Sequence, residues 1–260
     1  MKLPYLLLAL LMGLSAFECA AEDKPLYQKY FEQAVPDSDT LKHSEDLLKE
    51  HKDISLQEKL VIQPFHKHAG ELETAPFSLC RNCHSPLPHS KQLRSRAFLN
   101  MHTRFIACET CHFRPKDHQL TYQWLDLETM TATSGEGKFR TSHNLDNAKQ
   151  RPSNPKITPL FQNQSAVVAK NSAFSSQILQ QWEKANFDQK VELRAKIHIP
   201  LEKKGPKCQD CHNSEKSMLN LTALGATAEE KTAIEKHIIP QFFKDYEKDD
   251  QKIIIRNLLR

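Results

Sequence analysis

Glycine is scarce in this chain, at 6 of 260 residues, and hydrophobic residues make up only 39%. A chain of that composition is short of material for a core built from side chains alone. Methionine is equally sparse, with Met101, Met130 and Met218 the copies beyond the N-terminal segment. There is no spare cysteine: apart from Cys19, all of the 7 fall in three short clusters, which leaves no thiol for other duties. Nor is there an apolar run of the ~20 residues that cross a bilayer. Lys and Arg are spread along the chain, and the formal charge is only +4, which excludes a nucleic-acid footprint. The clusters recur at unequal intervals, which excludes a solenoid repeat.

The clusters are Cys80-Arg-Asn-Cys83-His84, Cys108-Glu-Thr-Cys111-His112 and Cys208-Gln-Asp-Cys211-His212. Each is C-x-x-C-H, the attachment pattern of c-type haem. Two thiols at this spacing add across the two vinyl groups of one porphyrin edge, and the next histidine ligates the iron. Paired C-x-x-C knuckles also bind zinc, but zinc does not require histidine after each second cysteine. With 13 His in 260 residues, three such histidines arise by chance about once in ten thousand. Three pairs also divide badly into four-ligand sites, and a disulfide framework leaves the histidines unexplained. The expectation is three covalent haems on Cys80, Cys83, Cys108, Cys111, Cys208 and Cys211, with His84, His112 and His212 as proximal ligands. Their propionates and irons would bring the charge to about +1 oxidised and about −2 reduced.

Lys2, the apolar run Leu3 to Phe17, and Cys19-Ala20-Ala21 before Glu22-Asp23 read as a secretory signal peptide cut after Ala21. A membrane anchor or a lipid on Cys19 is the alternative. Export agrees with haem, since bacterial c-type haem is attached outside the cytoplasm. The expected location is the periplasm, with no stable membrane span after signal cleavage.

Ten further histidines could supply sixth ligands: 43, 51, 66, 68, 89, 102, 118, 143, 198 and 237. Three bis-histidine sites need only three of them. His102, six residues before Cys108, ranks first, then His198 ahead of Cys208, then His89 just after the first motif. His68, His66 and His237 are reserves, and His118 and His143 are weaker. Which iron each would serve is not legible.

The expected fold is mainly α with much irregular structure, organised around the three haems. Residues 1–21 are the signal and 22–63 an N-terminal helical segment, with amphipathic runs over 37–63. Residues 64–118 form a two-haem block holding seven of the 13 histidines. Residues 119–174 combine a possible small β-hairpin near 119–140 with a polar connection over 141–173, read as irregular from Pro152, Pro155 and Pro159. Residues 175–260 form a helical third-haem block: a helix over 175–198 capped by Ser175 or Ser176, then a capping box Thr227–Glu230 opening a helix to about 238, bent or ended by Pro240.

The triple motif, the export signal and the surplus histidines resemble the multihaem c-type cytochromes of bacterial respiratory chains. That resemblance covers about a third of the chain. It implies closely stacked haems and electron transfer with redox proteins such as a quinol dehydrogenase, other cytochromes or a terminal reductase. The alternatives are a reductase, or reductase subunit, with one open iron acting on a small nitrogen or sulfur oxyanion, and a haem-bearing sensor or assembly module.

Overall fold

The computed structural model describes residues 24–50, 78–85, 87–89, 95–136, 139 and 155–246. The signal segment, the amphipathic run over 54–61, His66, His68 and His143 lie outside them. Among the described residues no helix is long and apolar enough to cross a membrane.

The fold is mixed α/β: short helices arranged around one small antiparallel sheet of order β2-β1-β3-β4. Strand β1 (Thr121–Asp126) turns back on β2 (Thr131–Ala132), a hairpin within the 119–140 segment. On its other side β1 pairs with β3 (Lys156–Phe161), which turns tightly into β4 (Gln164–Ser165). The turn uses positive φ at Gln162 and Asn163.

Strand β3 corrects the reading of 141–173 as irregular. Its first five residues are buried, and Pro159 sits opposite Tyr122 in the middle of the ladder. The Pro159 carbonyl accepts from Ala166 N at 2.9 Å. The N–H and C=O of a strand residue point to the same side, so the missing donor faces the short β4 edge and not the β1 ladder. A proline is therefore tolerated inside an otherwise buried strand.

Before the sheet come α1 (Leu26–Gln33) and α2 (Ser38–Glu50), a 3-10 turn at Leu79–Asn82, α3 (Arg96–His102) and α4 (Cys108–His112). After it come α5 (Ala173–Lys184), α6 (Phe187–His198), α7 (Cys208–Cys211), α8 (Ala228–Glu235) and α9 (Ile238–Asp245). The single helix expected over 175–198 is two. Asn186 starts the second with a full capping box, its Oδ1 accepting from Gln189 N at 3.0 Å and Gln189 Oε1 accepting from Asn186 N at 2.9 Å. Ser172, not Ser175 or Ser176, caps α5. The Thr227–Glu230 capping box is present, but α8 ends at Glu235, and Pro240 lies in the first turn of α9, where its missing N–H costs nothing.

Two apolar clusters flank the sheet. One joins Leu26, Tyr27 and Phe31 of α1 to Leu79, Phe113, Val168, Ile178 and Leu193. Phe113 is fully buried and meets Tyr27 and Tyr30 edge-on at 5.6 and 5.7 Å. The other gathers Leu219, Leu221 and Leu224 around Trp124 and Ile157. Trp124 Nε1 donates to Leu224 O at 2.8 Å, and Gly135 has no side chain where a Cβ would meet that same carbonyl at 1.8 Å.

Candidate functional site

The sheet positions all three motifs. The first is tied to the segment after β4, Leu79 N donating to Val168 O at 3.0 Å. The second hangs on β3 at Ile157: Ala107 N and Thr110 Oγ1 both donate to its carbonyl, at 3.0 and 2.8 Å, and Ile157 N donates to Phe105 O at 2.7 Å. The third packs against β1 through the Trp124 cluster, with Met218 N donating to Asp210 O and Ser217 Oγ to Cys211 O.

Each motif histidine faces one further histidine ring. His84 faces His198 with ring centroids 6.1 Å apart, His112 faces His89 at 6.3 Å, and His212 faces His102 at 6.0 Å. An imidazole nitrogen binds a metal at about 2 Å, and the ring centre lies about 1.2 Å behind it, so two rings flanking one iron have centroids about 6.4 Å apart. All three pairs fit that spacing. The three rings are those that ranked first from sequence. What sequence did not supply was the pairing: His102, next to the second motif, faces His212 of the third, and His198, ahead of the third, faces His84 of the first.

Five of these rings are also held by a hydrogen bond at Nδ1. His102 Nδ1 lies 2.8 Å from Phe98 O and His198 Nδ1 2.8 Å from Arg194 O, each the carbonyl one helical turn back. His112 Nδ1 lies 2.9 Å from Glu202 O, His212 Nδ1 2.7 Å from Ile234 O, and His89 Nδ1 3.1 Å from Asn100 Oδ1. Carbonyl oxygens only accept, so Nδ1 carries the proton and Nε2 keeps the lone pair a metal needs. On the non-motif side burial favours the neutral ring: it lowers the His102 and His89 pKa values and pushes His198 down to about 4.

The motifs form a row. The Cys80 thiol donates to Glu109 Oε1 of the second motif at 3.3 Å. At the other side of that motif, Cys111 lies close enough to Cys211 that a charge on it would favour the protonated Cys211 thiol. The second motif is thus the middle one. Burial pushes the thiols of Cys108 and Cys211 up to about 12 and Cys111 to about 11. Such surroundings suit neutral sulfur, as in a thioether. None of the six motif thiols is in a disulfide. Among the described residues no three His, Cys, Asp or Glu side chains converge as ligands of one ion.

Glu109 itself escaped sequence reasoning. It is buried, burial raises its carboxyl pKa, and its Oε2 has no hydrogen-bond partner among the described residues. The remaining described histidines have other surroundings. His118 lies 3.0 Å from Tyr30 Oη and 3.2 Å from Asp117, with Tyr30 also bonded to Asp117. His237 is exposed and caps α9, accepting from Ile239 N at 3.2 Å, and His43 is exposed on α2.

No family model, no curated protein and no solved structure matches this chain.

Proposed function

We propose that this protein is an exported trihaem c-type cytochrome that carries electrons between respiratory redox partners. The observation that carries the reading is the threefold coincidence of a C-x-x-C-H histidine with a second imidazole at metal-bridging distance. Two imidazoles would be the protein's whole share of a low-spin haem site, and the bound haem would supply the reversible one-electron chemistry of its iron. The motif cysteines would tether the haems, and His84, His112 and His212 would each ligate an iron. His198, His89 and His102 would supply the second protein ligand of each. That second ligand favours a carrier over a reductase, which needs an open position for its oxyanion. The row of motifs orders the path as first, second, third. The N-terminal apolar segment, which lies outside the described residues, supports a periplasmic location.

Mass spectrometry of the mature protein should find the chain heavier by three haems, and oxidised optical and EPR spectra should show low-spin haem throughout. An unmodified mass would sink the reading. A high-spin signal that responds to nitrite, sulfite or carbon monoxide would replace the carrier with the reductase.

A further inference from the structure

The three ring pairs are not alike. In the outer pairs the imidazole planes are crossed, at 72° for His84–His198 and 69° for His212–His102, whereas His112 and His89 are close to parallel, at 20°. The distal rings are also held differently. His102 and His198 close α3 and α6, and each Nδ1 is fixed by its own helix, through the carbonyl one turn back. A backbone carbonyl in a helix is set by the fold and does not depend on any neighbouring side chain.

His89 follows Leu87 and Pro88, neither of them helical, and its Nδ1 is held by a side chain. Asn100, on α3, takes that place with three hydrogen bonds. Its Oδ1 accepts from His89 N at 3.0 Å and from His89 Nδ1 at 3.1 Å, and its Nδ2 donates to His89 O at 3.0 Å. One amide thus grips both the backbone and the ring of the same histidine, and this fixes the plane of the ring as well as its position.

Resting on the trihaem reading, we propose that Asn100 is the positioning residue of the middle site, holding His89 parallel to His112 and making that site electronically distinct from the two outer ones. The physical basis is the overlap of each imidazole π orbital with the iron d orbitals. Parallel rings act on the same d orbital and split the pair, giving a rhombic low-spin signal. Crossed rings act on both and leave them nearly degenerate, giving a highly anisotropic signal. The acceptor on Nδ1 sets the basicity of the ligand and hence the potential of the iron.

The test is EPR and a redox titration of the oxidised holoprotein and two variants. The wild type should show one rhombic component beside a larger anisotropic one. Asn100→Ala should remove or convert the rhombic component and spare the other. Asn100→Asp, which keeps an acceptor on Nδ1 and strengthens it, should lower one of three midpoint potentials and leave two in place; it carries the test alone if Asn100→Ala fails to assemble. A wild-type spectrum without a rhombic component, or three haems whose spectra and potentials ignore both variants, would overturn the assignment while leaving the trihaem reading intact. A shift of all three potentials together would reduce Asn100 to a general structural role and overturn it equally. Wild-type protein without haem removes both readings.

Discussion

The outer and middle ring pairs join the chain across very different spans. His84 and His198, like His102 and His212, are about 110 residues apart in sequence, whereas His89 and His112 are separated by only about 20. The outer partners come from helix ends, and the one on α6 is fixed by packing. α6 lies against α2, Arg194 Nη1 donates to Ser44 Oγ at 3.0 Å, and Tyr27 Oη donates to Ile197 O at 2.7 Å. The middle partner comes from a loop gripped by one amide. With haem bound as proposed, the outer pairs would act as long cross-links, and the middle pair would be a local closure whose geometry rests on a side chain.

The largest effect should come from the packing behind the first and middle sites. Phe113→Ala empties a fully buried aromatic position between two tyrosines and should cost about 4 kcal/mol in denaturant unfolding of the holoprotein. Retention of wild-type stability would mean that the first apolar cluster does not support these sites. At the third site, Trp124→Phe leaves Leu224 O without its donor and should cost about 2 kcal/mol.

Next comes the contrast between the pairs themselves. With each porphyrin tethered to its motif, an axial bond to a distant ring closes a loop. The entropy of that closure makes His198→Ala about 1.4 kcal/mol more destabilising than His89→Ala. Each should leave one of the three irons high-spin, so optical spectra report that the intended bond was lost. Equal destabilisation would erase the distinction between cross-link and local closure. The smallest effect sharpens it: Asn186→Ala removes the cap of α6, which carries His198, and should cost about 1 kcal/mol with no change in the haem spectra.

The residues of the candidate site were more legible in the sequence than the scaffold that holds them. The motifs are local, and the three favoured histidines stood out because they flank them. The capping box at Thr227 was equally local. Strand β3 was hidden because Pro159 and its polar surroundings carry a loop composition, and only the direction of its missing N–H reconciles it with a ladder. The break at Asn186 was missed because the apolar pattern runs on through it, although the Asn186–Gln189 pair was readable as a cap. The ring pairing depends on contacts over about 110 residues, which no local pattern encodes. Asn100 carries no signal of its own in Leu-Asn-Met-His.

Helix α3 spans only Arg96–His102, yet it bears both Asn100, which grips His89, and His102, which faces His212. Two of the three irons would therefore share one mechanical yoke. A small roll of this single helix tugs the middle and third sites at once, while the first, suspended from α6, does not feel it.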